Sequence, residues 1–355
     1  MKREDPEGRG FAAPTRCEKV FAVVNRQIIL AARPEGFPEP SDFELVESDV
    51  PSPGPGEVLV HSQWLSLDPY MRGRMSTARS YAKSTEIGEP MTAQAVGEVV
   101  QSGDPRFAAG DTVVGQLGWQ DYAVARGGAL RKLDPTLAPP QTALHVLGAT
   151  GLTAYFGLLD VGEAKPGDAV VVSAASGAVG QVVGQLARIA GCGPVIGLAG
   201  SPEKVADLTQ LYGYDVGIDY KHDDVNARLK EACPNGVDVY FDNVGGALSE
   251  TIFRRLARGA RVPVCGQVSQ YNLAEPELAP RNLGFLIVFR ARLQGFLIYD
   301  YAHRFPEGLQ RLGRWLAEGK LTYREDVTEG LENAPAAFIG MLRGENRGKT
   351  LVKLR

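Results

Sequence analysis

The segment 174–180, A-A-S-G-A-V-G, places glycines where a strand pattern at 169–173 runs directly into a helix pattern. Glycines at such a turn let the backbone approach a pyrophosphate, which then meets the free N–H groups and the positive dipole end of the helix. We therefore interpret this segment as a pyrophosphate site. Ala175 stands where the dinucleotide-binding fingerprint has its first glycine, so a tight turn without a ligand is the alternative interpretation.

The end of the next strand pattern, G-L-A-G-S at 197–201, indicates which dinucleotide would bind. A site for NAD places an acidic residue about 20 residues after the glycine turn, where it accepts from the ribose 2′-hydroxyl. Here no carboxylate occurs before Glu203, whereas Ser201 offers a hydroxyl and Lys204 a cation for a 2′-phosphate. The sequence therefore predicts NADP(H). Lys204 alone would be read as a solvated helix charge, so the inference rests on all three features.

The histidines and cysteines do not form a metal site or a nucleophile motif. The cysteines Cys17, Cys192, Cys233 and Cys265 are far apart and lack C-x-x-C pairing, so we interpret each as a small apolar core residue in a reducing, cytoplasmic compartment. No histidine belongs to an H-E-x-x-H motif, and no G-x-S-x-G elbow occurs. The sequence predicts no metal and does not support hydrolase chemistry.

Charge and hydropathy exclude two classes of partner. Lys and Arg number 38 against 42 Asp and Glu, a net charge of -4 that gives no basic excess for nucleic acid. The apolar run at 285–289 is far shorter than the ~20 residues that span a bilayer. Residues 1–16 mix both charge signs with Pro and Gly and lack the apolar stretch of a signal peptide, so we expect a flexible leader without a catalytic role.

The secondary-structure elements that must position these residues follow two different patterns along the chain. From 17 to 135, short extended segments rich in Val and Ile alternate with Pro and Gly clusters, which predicts a mostly-β domain. From about 140, strand patterns alternate with helix patterns, which predicts an α/β domain with a doubly wound parallel sheet. The segments 321–325 and 348–354 are again strand-like and are expected to return to the first domain.

Several segments together resemble the zinc-independent branch of the medium-chain dehydrogenase/reductase family, specifically its prostaglandin reductase, alkenal reductase and bacterial curcumin reductase group. The matching segments are L-S-L-D-P-Y-M-R at 65–72, G-L-T-A-Y-F-G-L-L at 151–159, A-A-S-G-A-V-G-Q-V-V-G-Q at 174–185, A-G-S-P-E-K-V at 199–205, Y-F-D-N-V-G-G at 240–246, C-G-Q-V-S-Q-Y-N at 265–272 and L-R-G-E-N-R-G-K at 342–349. Segment 88–99 lacks the histidine that zinc-dependent members carry before its glutamate, which disfavours alcohol oxidation through a Lewis acid.

The resemblance implies a GroES-like domain over 17–145, an NADP-binding Rossmann domain over 146–311, and a return to the first domain over 312–355. Catalysis would lie in the cleft between the two domains. The residues that it implies for cofactor binding are Gly177, Ala178, Val179, Gly180, Gly200, Ser201, Lys204, Tyr220, Asn243, Cys265, Gly266, Gln267, Val268, Ser269, Phe296, Leu297, Ile298 and Asn346. For the D-N-V-G-G segment, a strand end and turn without ligand contact is the alternative.

The implied reaction is NADPH-dependent reduction of the carbon–carbon double bond of an α,β-unsaturated ketone or aldehyde. It needs a hydride at the β-carbon and a donor for the charge that develops on the carbonyl oxygen. By motif, Tyr271 would stabilise this enolate and Tyr70 would orient the carbonyl. For Tyr70, a packed aromatic whose hydroxyl bonds a backbone carbonyl is an equal alternative.

Two alternative functions remain possible from the sequence, and the oligomeric state is also undecided. A quinone oxidoreductase on the same scaffold, or a protein that holds NADPH without turnover, would share these motifs. The resemblance also implies a homodimer, and the segment 284–299 reads as strand that could extend a sheet across a two-fold axis. A buried strand followed by a connection is the alternative for 284–299.

Overall fold

The computed structural model of the 355-residue chain describes residues 23–275, 277–279 and 283–354. The predictions for the leader 1–16 and for Cys17 lie outside these residues. No helix in the described ranges is long and apolar enough to cross a membrane.

The chain forms its elements in three stretches. The first consists of β1 (Val24–Leu30), β2 (Phe43–Asp49), β3 (Glu57–Ser66), α1 (Tyr70–Arg74), β4 (Gln94–Ser102), β5 (Thr112–Gln116), β6 (Tyr122–Arg126) and β7 (Arg131–Lys132). The second consists of α2 (Ala149–Phe156), β8 (Val170–Val172), α3 (Gly180–Ile189), β9 (Val195–Ala199), α4 (Pro202–Gln210), β10 (Val216–Asp219), α5 (Val225–Ala232), β11 (Val237–Phe241), α6 (Gly246–Phe253), β12 (Leu256–Val264), α7 (Gly284–Phe289) and β13 (Arg292–Gly295). The third consists of α8 (Phe305–Ala317), β14 (Glu325–Glu329), α9 (Ala334–Leu342) and β15 (Lys349–Lys353).

The middle stretch builds a parallel six-stranded sheet in the order β10-β9-β8-β11-β12-β13. This is the doubly wound order in which the chain crosses from one half of the sheet to the other between β10 and β11. The central strand β8 is apolar throughout because helices cover both faces of the sheet. Val170 and Val172 pack on one face with α3, and Val171 packs on the other with α5 and α6. The predicted α/β Rossmann domain is confirmed.

The first stretch and the chain's end together build the second domain, which we call the β domain. Its large sheet has the order β14-β15-β3-β4-β5-β7, and β6 also pairs with β3. Strand β15 pairs antiparallel with β3, so the end of the chain does return to the first region, although β14 begins only at Glu325. A separate core around Trp119, Phe43 and Phe338 lies beneath this sheet. The domain boundaries at 145 and 311 stay predictions.

The expectation of strand across 284–299 is wrong for its first part. Residues 284–289 form the helix α7, and only Arg292–Gly295 form strand β13, which pairs parallel with β12. An unbroken apolar run carries no period, so its composition does not separate a short helix from a strand.

Salt bridges tie the two domains together at α4. The buried carboxylate of Asp207 accepts from Arg347 Nε at 2.5 Å and Nη2 at 2.6 Å, and from Arg324 Nη1 at 3.3 Å. Arg324 lies one residue before β14 and Arg347 two residues before β15, so this contact fixes the chain's last strands against the Rossmann domain.

Candidate functional site

A cavity of about 980 Å³ lies between the two domains. Its Rossmann wall is formed where the parallel strands end, because the carboxyl ends of such strands open on the same edge of the sheet. The first cavity residues after β8, β9, β10, β11, β12 and β13 are Ala174, Gly200, Tyr220, Asn243, Cys265 and Phe296. The β domain contributes the opposite wall through α1, β5 and the loop between α9 and β15.

The structure brings most of the sequence-predicted residues to this one cavity. Its lining includes Tyr70, Gly177, Ala178, Val179, Gly180, Gly200, Lys204, Tyr220, Asn243, Cys265, Gly266, Val268, Ser269, Tyr271, Phe296, Leu297, Ile298 and Asn346. Ser201 and Gln267 do not belong to the lining. Ser201 Oγ instead caps α4 by accepting from the backbone N–H of Lys204 at 3.3 Å, and the Gln267 N–H donates to Tyr271.

The glycine turn has the shape that a pyrophosphate requires. Helix α3 begins without a side-chain cap at Val179, so the turn has no competing side chain where a ligand would meet the helix N-terminus. At Gly180, a Cβ would lie 2.4 Å from the carbonyl oxygen of Ala174 and 2.6 Å from Ala175 Cα. Ala174 itself has a positive φ of 47°, which marks how tightly the chain turns here. These residues fit a pyrophosphate.

Two lysines make the corner after β9 and β10 electropositive. Lys204 Nζ donates to the carbonyl oxygen of Gly344 at 2.6 Å, and both Lys204 and Lys221 line the cavity. Burial first, and then the positive charge of Lys221, lower the pKa of Lys204. The sequence analysis missed Lys221, although it directly follows Tyr220. This corner fits a 2′-phosphate.

The turn after β11 is organised by a buried carboxylate that the sequence analysis did not single out. Asp242 Oδ1 accepts from the N–H groups of Val244 at 3.0 Å and Gly245 at 2.9 Å, and Oδ2 accepts from Ser249 at 2.7 Å. The Asn243 amide donates to the Ser173 carbonyl at 2.7 Å. Asp242 thus fixes the turn on which Asn243 reaches the cavity wall.

Tyr271 stands at the end of the loop that follows β12. Its hydroxyl oxygen accepts from the Gln267 N–H at 3.3 Å, and burial raises the pKa of the phenol. A Cβ on Gly266 would lie 3.3 Å from the same oxygen, so the absence of a side chain there leaves room beside the hydroxyl. Tyr271 therefore presents a neutral hydroxyl at the cavity.

Tyr70 is the first residue of α1 and lines the β-domain side. Burial, and then the negative charge of Asp68, raise the pKa of its phenol well above the usual range. A hydrogen bond with Gln116 opposes this shift, and the Arg74 guanidinium lies 5.5 Å from the ring centroid. The sequence analysis missed Tyr299, which also lines the cavity and is hydrogen-bonded to the same Gln116.

The thiol of Cys265 also lines the cavity. Burial, and then the negative charge of Asp242, raise its pKa to about 12. The thiol therefore stays protonated near neutral pH and is a poor nucleophile. No group of three or more His, Cys, Asp or Glu side chains in the described residues could hold a metal ion.

Comparison with known proteins gives matches over nearly the whole chain. Residues 26–133 match the family model for the N-terminal domain of oxidoreductase, and residues 178–314 match the model for zinc-binding dehydrogenase. The NADPH-dependent curcumin reductase of Escherichia coli is 46% identical over 335 residues, which cover 93% of this chain and 97% of that protein. The NADP(+)-dependent 2-alkenal reductase of Nicotiana tabacum is 42% identical over 337 residues, with the same two coverages.

A solved structure has the same overall fold. The crystal structure of CurA from Vibrio vulnificus in complex with NADPH superposes with a TM-score of 0.89 at 46% identity. The match covers 93% of this chain and 99% of that one.

Proposed function

Because the chain belongs to the zinc-independent medium-chain dehydrogenase/reductase family, we propose that it reduces the carbon–carbon double bond of α,β-unsaturated ketones or aldehydes. It is an NADP-dependent oxidoreductase that acts on CH–CH groups. One observation carries the proposal: a single cavity holds both the glycine turn of a dinucleotide site and two neutral tyrosine hydroxyls, Tyr70 and Tyr271. The names of the two relatives support the substrate class.

The glycine turn and the lysine corner would hold the cofactor. The N–H groups near Gly180 would bind the pyrophosphate, and Lys204 and Lys221 would neutralise the 2′-phosphate. Asn243 and Asn346 line the part of the cavity that we assign to the ribose and nicotinamide. When bound there, NADPH supplies the hydride that reduces the β-carbon.

The two tyrosines act on the substrate's carbonyl oxygen. As negative charge develops on the substrate's carbonyl oxygen, the Tyr271 hydroxyl donates a hydrogen bond to it, and Tyr70 orients the carbonyl. A donor to an oxyanion must carry a proton, and the raised pKa values of both phenols keep them protonated at neutral pH. Apolar walls, including Phe296 and Leu297, exclude water from the reacting bond.

Oxidation of NADPH in the presence of different acceptors tests the proposal. The purified enzyme should consume NADPH with medium-chain enones and enals, and the product should be the saturated carbonyl compound. A protein that consumed NADPH only with quinones would be a quinone oxidoreductase, the strongest alternative, and would contradict the proposed substrate class. A protein that only held NADPH is not supported, because the relatives are named as reductases.

We also propose that the enzyme is a homodimer that joins through β13. In the described residues this strand closes one end of the six-stranded sheet, so its outer edge has no neighbour in the sheet order. Beside it, α7 exposes Ile287 by 80% and Val288 by 61%, which is unusual for apolar side chains without a partner. Light scattering should therefore give twice the mass of the chain.

The variant Ile287→Glu should shift that mass toward the monomer. As a matched control, Leu137→Glu alters a side chain that is 83% exposed in the β domain and should leave the mass unchanged. A monomeric wild-type protein would contradict the dimer.

A further inference from the structure

Lys349, the first residue of β15, is a fully buried lysine at the wall of the cavity. Its side chain is 1% exposed, and Nζ donates to the Leu67 carbonyl oxygen at 2.7 Å and to Asp68 Oδ1 at 2.7 Å. Ser66 Oγ donates to the other oxygen of the same carboxylate. Lys349, Leu67 and Asp68 all line the cavity. Neither the motifs nor the proposed mechanism has so far given this pair a role.

Burying this ion pair needs an explanation, because it is not a strong source of stability. Removing two charges from water costs free energy that their attraction only partly returns, so a buried pair is weak evidence of a structural purpose. Within this pair, Asp68 directly precedes Pro69, the N-cap of α1, and Tyr70, its first residue. A carboxylate at this place would oppose negative charge on a substrate in the cavity unless a cation cancelled it.

In the described residues, none of the other titratable and charged groups around the pair forms an ion pair with Asp68, so Lys349 is the cation that cancels its charge. Glu325, on β14, is the cross-strand partner of Lys349, and burial raises the pKa of its carboxyl. His145 lies on the other side, and burial and the charge of Lys349 lower its pKa to about 3, so it is neutral. Around Asp68 the further groups are the phenols of Tyr70 and Tyr299, with Arg74 against the Tyr70 ring.

We propose that Lys349 is a positioning residue for the reaction: it cancels the charge of Asp68, so that negative charge can develop on the substrate carbonyl oxygen that Tyr70 orients. The inference rests on the proposed function, because it assumes that negative charge appears on the substrate near Tyr70. After burial, the negative charge of Asp68 is the next cause that raises the pKa of Tyr70, and the charge of Arg74 opposes it. Lys349 lies 2.7 Å from the same Asp68 carboxylate and would reduce its effect on the substrate.

The sign of the charge that each variant leaves in the cavity wall distinguishes this role from a structural one. Removing Lys349 leaves an uncompensated anion, which disfavours the enolate. Removing Asp68 leaves a cation, which does not disfavour the enolate. A purely structural pair would instead respond similarly to loss of either partner, because both changes break the same bond.

The test uses the full chain and four variants: Lys349→Met, Asp68→Asn, the double variant that carries both, and Lys353→Met as control. Lys353 lies at the far end of β15, is partly exposed and does not line the cavity, so its variant should match the wild type. For each protein, kcat with an enone, the dissociation constant of NADPH and the unfolding midpoint are measured.

We expect Lys349→Met to lower kcat about tenfold or more, with NADPH affinity changed less than about threefold. Asp68→Asn and the double variant should stay within about threefold of wild-type kcat.

Equal losses of kcat in the two single variants, or a double variant as slow as Lys349→Met, would overturn the proposal. If Lys349→Met does not fold, the double variant and Asp68→Asn decide: a tenfold loss of kcat in either contradicts the charge-cancelling role. These ratios need a wild-type enzyme that reduces the enone. A wild-type enzyme that is inert towards enones and enals contradicts the proposed function instead.

Discussion

The hydroxyl oxygen of Tyr271 accepts a hydrogen bond from the backbone N–H of Gln267, with 3.3 Å between the two atoms. A phenol oxygen can accept this bond and still donate its own proton. The loop after β12 thus fixes the hydroxyl in place while leaving the O–H for a ligand in the cavity. Tyr271 is consequently better placed than Tyr70 to serve as the donor to an enolate, because Tyr70 shares Gln116 with Tyr299.

Replacing Tyr271 with Phe removes this donor and keeps the ring. We expect kcat for enone reduction to fall about tenfold, because one hydrogen bond to the developing charge is lost, and NADPH affinity to stay unchanged. Tyr212→Phe is the control, because the buried Tyr212 hydroxyl has no hydrogen-bond partner in the described residues and lies outside the cavity lining. Turnover in Tyr271→Phe equal to that of the wild type would remove Tyr271 from the mechanism.

The lysine corner predicts how the enzyme selects its cofactor. Lys204 and Lys221 lie close enough for the charge of one to lower the pKa of the other, and a bound 2′-phosphate would relieve this repulsion. Lys221→Ala should therefore raise the KM for NADPH about tenfold and leave the KM for NADH within about twofold. Lys230→Ala, on the exposed face of α5, should change neither. Equal changes for both cofactors would show that Lys221 does not contact the phosphate.

Much of the Rossmann side could be predicted from the sequence because it depends on local order. Each parallel strand ends at the same edge of the sheet, so the residues that follow successive strands, such as Gly200, Asn243 and Cys265, converge without further information. The spacing between the strand patterns was enough to identify them. Lys221 could have been found by the same rule, since it follows β10 by two residues.

The β-domain side could not be predicted in this way. Gln116 and Lys349 come from separate parts of the chain and meet at the cavity only after β15 has paired with β3 and the two domains have packed together. Residue types and spacing around these two positions do not predict that proximity. The resemblance to a family identified Tyr70, because a motif marks it, but not the buried ion pair two residues before it.

The buried ring of His145 predicts how the protein responds to acid. Burial, and then the charge of Lys349, lower its pKa to about 3 from an ordinary value of 6.5. Between these two values the unfolded chain binds a proton that the folded chain does not, so the free energy of unfolding falls as pH falls. The decline begins near pH 6.5 and continues to about pH 3, at up to about 1.4 kcal/mol per pH unit.

His145→Gln tests this contribution, because its amide can still donate to the Ala178 carbonyl, which lies 3.3 Å from His145 Nε2. From about pH 7 to about pH 5, the variant should lose about 2 kcal/mol less stability than the wild type in denaturant titrations. His303→Gln changes an exposed histidine and should follow the wild-type curve. Parallel curves for wild type and His145→Gln would mean that His145 is not the group that titrates.

Substitution of the glycine at which the turn meets α3 should affect both the free energy of unfolding and the affinity for NADPH. In Gly180→Ala the new Cβ would lie 2.4 Å from the Ala174 carbonyl oxygen and 2.6 Å from Ala175 Cα, and both of these are backbone atoms in a turn with little freedom to move. Helix α3 must shift away from the turn, which should cost about 1–3 kcal/mol of unfolding free energy. The same shift would displace the N–H groups that we propose to bind the pyrophosphate, so NADPH affinity should fall by more than about tenfold.

Gly313→Ala is the matched control, because it adds the same methyl group to a helix at a position with free space. Gly313 lies inside α8, where the nearest atom to an added Cβ would be Leu147 Cδ2 at 4.0 Å. Alanine should therefore raise the unfolding free energy by about 0.5–1 kcal/mol through helix propensity, without any change in NADPH affinity. Isothermal titration with NADPH and thermal unfolding of the two variants measure both quantities. If Gly180→Ala binds NADPH as tightly as Gly313→Ala does, the pyrophosphate does not sit on this turn.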